Sequence, residues 1–327
     1  MNAVGLIGIL VVGTAFGYGA RRGGFCMSSG FRSALEGDWT KVKALALAVA
    51  VQLLALPVIF GTGLARPADL TLMPLAAMLG GLLFGASMQW AGGCAAGVWY
   101  KLGAGDVGAL LAVLGMAIGA SAADSGALLG VRASLQSVMP IVASWSPPLA
   151  VSIIAGLVLL ATLTRMADGR AGAWSWRWTG LWIGVVAAAT WPVSAASGRD
   201  FGLAITPGTT GLLSAATGGP FPLSDTLLVL GVLIGGWLAA RQSGPVVLDA
   251  PKSTALLKRF AGGLGLGIGA SIASGCTVGQ GLTGLALLAS SSFVVMGAIF
   301  AGSTLATLAA RRLEASSSPM APSSIPH

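Results

Sequence analysis

The sequence predicts an all-α polytopic membrane protein, with about nine transmembrane helices in two inverted-repeat halves. Three observations support this class: the apolar composition, the spacing of apolar segments and an internal repeat. Apolar residues make up 55% of the 327 residues, charged residues only 9%, and the mean hydropathy is +0.86. A chain with so few polar residues cannot coat a soluble globule, so we expect it to lie in a lipid bilayer.

Apolar segments near the length of about 20 residues that a bilayer requires predict nine spans. The first segment has no basic residue before it, and its arginines follow it. We therefore interpret it as a permanent helix and not as a cleaved signal peptide. The predicted spans cover residues 3–20, 42–62, 72–90, 106–122, 148–165, 178–196, 224–240, 257–273 and 284–309.

The basic residues predict the orientation of these spans, because lysine and arginine collect in the inner loops of membrane proteins. If the N-terminus lies outside, 15 of the 18 basic residues fall inside, and only Arg66, Arg132 and Arg199 fall outside. The pattern indicates a periplasmic N-terminus and a cytoplasmic C-terminus in a bacterial inner membrane. It also accounts for the net charge of +8, so we expect no nucleic-acid partner.

Two glycine-rich tracts repeat one another after a shift of 182 positions, which aligns Cys94 with Cys276 and Gly97 with Gly279. Their sequences are AMLGGLLFGASMQWAGGCAAG and RFAGGLGLGIGASIASGCTVGQG. The shift crosses five predicted spans, an odd number, so we expect the second half to be inverted relative to the first. The predicted divisions are an N-terminal half at 1–145, a linking span and cytoplasmic loop at 146–177, an inverted C-terminal half at 178–312 and a disordered cytoplasmic tail at 313–327.

Glycine at these cysteines predicts helices that break within the membrane, where protein shields the backbone. We expect Cys94 in a re-entrant hairpin or half-helix that enters from the cytoplasmic side, and Cys276 in its counterpart from outside. Two such hairpins would meet near the midplane and form a substrate path. A shorter match between ARRGGFCMSSGFR and SGRDFGLAITPG aligns Cys26 with Gly202, so the symmetry offers four positions and thiols fill three.

The surroundings of the three cysteines exclude several kinds of site. No CxxC spacing indicates a thioredoxin-like pair, and the only histidine is the terminal His327, which argues against zinc and against a cysteine hydrolase. The N-terminus of a broken helix instead attracts an anion, and a thiol adds a soft, weak donor. The pattern favours a sulfur-bearing anion, and ordinary buried cysteines without a role are the alternative.

The tracts GGFC around Cys26, GGCAAG around Cys94 and SGCTVGQGLTG around Cys276 resemble the signature of the YeeE/YedE family of bacterial inner-membrane proteins. The resemblance covers essentially the whole chain. It implies a transporter, not an enzyme, that takes up thiosulfate or a related sulfur anion and needs no cofactor or metal. It further implies that the three cysteines line a narrow path and relay the anion by weak S–H hydrogen bonds. A small cytoplasmic TusA-like sulfur carrier is the implied partner.

We expect residues beside the cysteines to shape the path through backbone groups and polar side chains, with interhelical hydrogen bonding as the alternative for the polar ones. These are Gly24, Gly92, Gly93, Gly275, Thr277, Gly279, Gln280, Gly281 and Thr283. Three basic residues could attract an anion, although topology alone also places them inside: Arg21, Arg22 and Lys101. The competing functions are transport of another sulfur or selenium species, a membrane thiol oxidoreductase, and a scaffold for a cytosolic sulfurtransferase.

Overall fold

A computed structural model describes residues 3–68, 70–138, 140, 149–216, 218–219, 221–249 and 251–317. Over these residues the chain forms helices and no β-strand, which confirms the predicted all-α class. The helices in chain order are α1 (Ala3–Arg22), α2 (Met27–Ala34), α3 (Thr40–Gly61), α4 (Pro74–Ala91), α5 (Ala95–Gly103), α6 (Val107–Asp124), α7 (Leu129–Ser137), α8 (Leu149–Thr164), α9 (Trp176–Ala196), α10 (Thr206–Ala216), α11 (Leu223–Arg241), α12 (Ser253–Ile272) and α13 (Ser290–Ser317), with a π-helical turn at Gly279–Gly284.

Nine of these helices overlap the nine predicted spans: α1, α3, α4, α6, α8, α9, α11, α12 and α13. Within the described residues, seven helical segments are long and apolar enough to cross a membrane. Of the other two, α8 has only 16 residues, and α12 carries Lys258 and Arg259 near its N-terminal end. The chain is therefore a multi-pass membrane protein, while the exact number of nine spans stays a prediction.

The ends of the last helix differ from the expectation. The predicted span began at 284, but α13 begins only at Ser290, because Leu288 adopts a left-handed conformation with φ +53° and interrupts the helix. The predicted tail began at 313, whereas α13 continues to Ser317. Helix-forming residues in RRLEA carry α13 on to Ser317. The rest of the predicted tail lies outside the described residues.

The two glycine-rich tracts pack against one another as the antiparallel helices α4 and α12. A Cβ atom built on Gly80 would lie 2.6 Å from the Ala273 nitrogen, and one built on Gly262 would collide with the backbone of Ala91. Small residues thus allow the two backbones to touch. The shift of 182 positions converts the contact of Gly80 with Ala273 into the contact of Gly262 with Ala91, as two inverted halves would require.

Other helix pairs repeat in the same way. Helix α6 packs on α12 as α13 packs on α4, and α1 packs on α11 as α9 packs on α3. The correspondence sets α1, α3, α4 and α6 opposite α9, α11, α12 and α13, and it leaves α8 between the two sets. These contacts support the predicted division into two halves, which stays a prediction.

All three cysteines lie where a long helix gives way to a short one. Cys26 immediately precedes α2, Cys94 immediately precedes α5, and Cys276 lies between α12 and the π-helical turn. At these breaks the backbone passes through left-handed residues, a conformation that favours glycine. These residues are Gly24 (φ +62°), Gly92 (φ +73°), Ser274 (φ +54°) and Gly275 (φ +154°).

Candidate functional site

Cys26 and Cys94 form a buried thiol pair. The Cys26 thiol donates to the Cys94 sulfur across 4.0 Å, and the two residues are only 4% and 2% exposed. Each is the N-cap residue of its short helix, in an extended conformation. Neither thiol closes a side-chain capping hydrogen bond. Two helix N-termini, which favour negative charge, thus converge on the thiol pair.

Gly97 borders both sulfurs of the thiol pair. A Cβ atom at this position would lie 2.9 Å from the Cys26 sulfur and 3.4 Å from the Cys94 sulfur. The first distance is shorter than real Cβ contacts, so only glycine leaves the sulfurs in place. The repeat alignment contained Gly97, but the sequence did not identify it as a site residue, because the neighbouring thiol of Cys26 comes from a distant helix.

Two half-buried lysines lie close enough to Cys26 to act on it electrostatically. Lys101, a predicted site residue, lies two turns beyond Cys94 on α5 and donates to the Gly92 carbonyl oxygen. Lys41 on α3 donates to the Ser29 hydroxyl at 2.8 Å. The sequence assigned Lys41 only to an inner loop, because its closeness to the thiol pair depends on how α3 packs.

The other predicted cations, Arg21 and Arg22, lie at the end of α1. Arg21 is exposed, whereas Arg22 is half-buried and its Nε has no hydrogen-bond partner. The Arg22 carbonyl accepts a hydrogen bond from the Ala173 amide at 2.8 Å. A Cβ atom on Gly24 would collide with the Ala171 carbonyl oxygen. The loop between α8 and α9 therefore packs directly over the first helix break.

Cys276 lines a cavity of about 410 Å³, which we call the Cys276 cavity. Two ion pairs also line it: Arg199 with Asp225 at 2.5 Å, and Arg132 with Asp124 at 2.9 Å. Both arginines belong to the three basic residues that the charge pattern places outside. Further lining residues are Phe201, Ala204, Thr206, Ser271, Ser274, Gly275 and Gly279.

Two buried hydroxyl groups in the Cys276 cavity have no hydrogen-bond partner. They belong to Thr206 and Ser271, which are 8% and 6% exposed. Buried polar groups are normally paired, so a free hydroxyl at a cavity wall is a ready donor for a ligand. Nothing in the sequence singled out these two residues, because serine and threonine are common in membrane helices and their pairing depends on the fold.

Arg199 cross-links the end of α9 to the segment that leads into α10. Its guanidinium donates to the carbonyl oxygens of Phe201 and Gly202 and to the Ser194 hydroxyl, besides its ion pair with Asp225. The residue is only 9% exposed. Sequence reasoning treated Arg199 as an outer basic residue, whereas the structure uses it as a buried cross-link.

The polar residues after Cys276 mainly join helices, which was the alternative stated above for them. Gln280 donates to the Ser274 carbonyl at 2.9 Å and accepts from the Ser292 hydroxyl at 2.6 Å. Thr283 donates to the Leu203 carbonyl at 2.7 Å. These bonds tie the π-helical turn to α13 and to the chain before α10.

Thr277 and Gly279 differ from these polar residues. The Thr277 hydroxyl is buried and has no hydrogen-bond partner. A Cβ atom on Gly279 would meet only Ala204, at 3.9 Å, so Gly279 borders open space. The remaining predicted glycines pack against neighbouring groups: Gly92 against Arg259, Gly93 against Gly97 and Val98, Gly275 against Gln280, and Gly281 against Met296.

The profile of a protein family described as "Sulphur transport" matches residues 22–305, a range that includes all three cysteines. This chain belongs to that family. The match confirms the resemblance to the YeeE/YedE family and the expectation of a transporter in place of an enzyme.

Two curated relatives in the sulphur transport family share about a third of their residues with this chain. A thiosulfate transporter, TsuA, from Escherichia coli strain K12 is 31% identical over 311 residues, which cover 85% of this chain and 87% of the relative. A second TsuA, from Spirochaeta thermophila, is 32% identical over 310 residues, which cover 87% of this chain and 93% of the relative. Both alignments therefore extend over nearly the whole fold.

Proposed function

We propose that this member of the sulphur transport family takes up thiosulfate, or a closely related sulfur anion, across the bacterial inner membrane. The observation that carries the proposal is the thiol pair, Cys26 and Cys94, buried at the meeting of two helix N-termini in a chain whose relatives are thiosulfate transporters. The N-terminus lies in the periplasm and the C-terminus in the cytoplasm. The two inverted halves each contribute helix breaks to one path.

The Cys276 cavity is the outer entrance in this proposal. Its arginines attract the anion, but each is already paired with an aspartate, which keeps the attraction moderate. The free hydroxyls of Thr206 and Ser271 replace part of the hydration shell of the anion. A moderate site suits conduction, because a single tight site would hold the ion and stop its passage.

The thiol pair is the narrow part of the path, and it relays the anion without covalent chemistry. Each S–H group is a weak, soft donor that suits the terminal sulfur of thiosulfate better than a hydrated oxyanion. The N-termini of α2 and α5 stabilise the negative charge during passage. Lys41 and Lys101 then draw the anion toward the inner side. There a TusA-like sulfur carrier receives the sulfur.

The experiment is growth of a sulfate-uptake-deficient bacterium on thiosulfate as its sole sulfur source. The intact chain should restore growth, and Cys94→Ala should not, when both reach the membrane at equal level. Leu110→Ala is the matched control. The Leu110 side chain on α6 is 41% exposed, so this variant should restore growth fully. Equal growth with Cys94→Ala would refute the thiol relay, and failure of the intact chain would refute thiosulfate as substrate.

A further inference from the structure

We propose that the thiol pair is also a modification site, at which Cys26 and Cys94 form a reversible disulfide when a polythionate reaches them. Polythionates are anions in which a chain of sulfur atoms joins two sulfonate groups. This inference rests on the proposed function in one respect: a path that admits thiosulfate should also admit tetrathionate, because the ends of tetrathionate carry the same S–SO₃ group. The disulfide itself rests only on the geometry of the two cysteines.

The geometry of the pair brings the sulfurs nearly to bonding distance. They are 4.0 Å apart, and a disulfide bond is about 2 Å long, so the sulfurs must approach one another by about 2 Å. The space that Gly97 leaves beside both sulfurs permits this movement. Cys276 lines a separate cavity and does not contact either sulfur among the described hydrogen bonds, so it offers no competing partner.

The surroundings of the pair also favour the reactive form of one thiol, Cys26. Thiolates, and not thiols, attack disulfides, and a helix N-terminus stabilises a thiolate. Cys26 and Cys94 both occupy that position, and Lys41 and Lys101 add positive charge close to Cys26. The same positive groups would hold the doubly charged polythionate and accept the thiosulfate that leaves.

The reaction proceeds in two balanced exchanges. One thiolate attacks an inner sulfur of tetrathionate; a new S–S bond forms, the central S–S bond of tetrathionate breaks, and thiosulfate leaves with the electron pair. The second thiolate then attacks the cysteine sulfur of this adduct, which forms the Cys26–Cys94 bond and releases a second thiosulfate. The two thiols are oxidised, one tetrathionate is reduced to two thiosulfates, and two protons pass to water.

The disulfide would close the path. Both S–H donors disappear, and the bond joins α2 to α5 across the narrowest part of the proposed route. Passage stops until a thiol reductant restores the pair. Cys276 lacks a second thiol, so the same reagent leaves it as a lasting S-thiosulfonate adduct instead of a disulfide.

The experiment treats the purified full-length protein with sodium tetrathionate and identifies its peptides by mass spectrometry without reduction. We expect a peptide pair linked through Cys26 and Cys94, two thiosulfates released for each link, and complete reversal by dithiothreitol. Cys26→Ser and Cys94→Ser should each lose the link and keep an adduct on the remaining thiol, whereas Cys276→Ser should keep the link. Unlinked adducts on Cys26 and Cys94, a link through Cys276, or no reaction at a concentration that modifies the unfolded chain would each overturn the proposal.

Uptake into proteoliposomes separates this inference from the proposed function. Thiosulfate uptake should fall in proportion to the linked fraction and recover after dithiothreitol. If the link forms but the untreated protein takes up no thiosulfate, the proposed function fails and the modification site stands. If fully linked protein still takes up thiosulfate, closure of the path is overturned.

Discussion

The thiol pair and the Cys276 cavity belong to corresponding places in the two sequence repeats, yet they differ in charge and in free space. At the thiol pair, two sulfurs and Gly97 fill the site, and Lys41 and Lys101 act on Cys26 electrostatically. At the Cys276 cavity, one sulfur faces an open volume with two ion pairs and two free hydroxyls. Corresponding places in the two sequence repeats can therefore hold a closely packed thiol pair at one and an open polar cavity at the other.

Gly202 explains why the second half contains no thiol pair. The shorter sequence match sets Gly202 opposite Cys26, but a Cβ atom there would lie 2.7 Å from the Thr283 methyl and 2.8 Å from the Trp191 indole nitrogen. Any side chain would displace these buried neighbours. Arg199 holds this break closed through the backbone carbonyls of Phe201 and Gly202. The second half thus fixes its break with a guanidinium, whereas the corresponding position in the first half holds a thiol that hydrogen-bonds to Cys94.

Arg199→Leu should cause the largest loss of stability, because it leaves Asp225 and two carbonyl groups without their donor. Breaking a buried ion pair by removing one partner costs about 3–5 kcal/mol. The control is Arg132→Leu, whose ion pair is 28% and 34% exposed on its two side chains, so its loss should cost at most about 1 kcal/mol. The free energy of unfolding in detergent is the measurement.

A double variant tests the cause of that loss. Arg199→Leu combined with Asp225→Leu removes both charges, and it should be more stable than Arg199→Leu alone, because no unpaired carboxylate is left behind. If the double variant is the less stable of the two, Arg199 acts mainly through its bonds to Phe201 and Gly202.

Gly202→Cys tests whether the two halves can be made alike. We expect it to destabilise the fold by about 1–3 kcal/mol, because the new side chain overpacks a filled space against Trp191 and Thr283. The control is Gly279→Cys, which faces open space at the same cavity and should be tolerated. A Gly202→Cys protein as stable as the parent would show that steric exclusion does not explain the missing fourth thiol.

Nine described helices overlap the nine predicted spans, because hydropathy and length largely determine where an apolar helix forms. The sequence did not predict Lys41, Gly97 or Arg199 as site residues, because their importance lies in contacts with helices that are distant in sequence. The sequence also did not predict the late start and the late end of α13, and the reason is local. Hydropathy marks where a helix can enter lipid, whereas φ at Leu288 and helix propensity after 312 decide where it begins and ends.

Gly97→Ala and Gly279→Ala compare the free space of the two regions with the same added methyl group. At Gly97 the methyl carbon would lie 2.9 Å from the Cys26 sulfur, so the thiol pair must shift and thiosulfate uptake should fall. At Gly279 the nearest atom is 3.9 Å away, and uptake should stay near that of the parent. Initial uptake rates in proteoliposomes are the measurement. A similar fall in both variants would argue against a difference in width between the two regions.

Thr283→Val and Thr277→Val should give the smallest difference, and they separate the structural hydroxyls of the second half from the free ones. Thr283 donates to the buried Leu203 carbonyl, so its replacement leaves that oxygen unpaired and should cost about 1–2 kcal/mol of stability. Thr277 has no hydrogen-bond partner, so its replacement should change the free energy of unfolding by less than about 0.5 kcal/mol. If Thr277→Val leaves stability unchanged but lowers thiosulfate uptake, its hydroxyl serves the anion and not the fold. Equal losses of stability in both variants would mean that the Thr277 hydroxyl is paired in the protein. Thr277 and Thr283 would then both stabilise the helix break after Cys276 through hydroxyl hydrogen bonds.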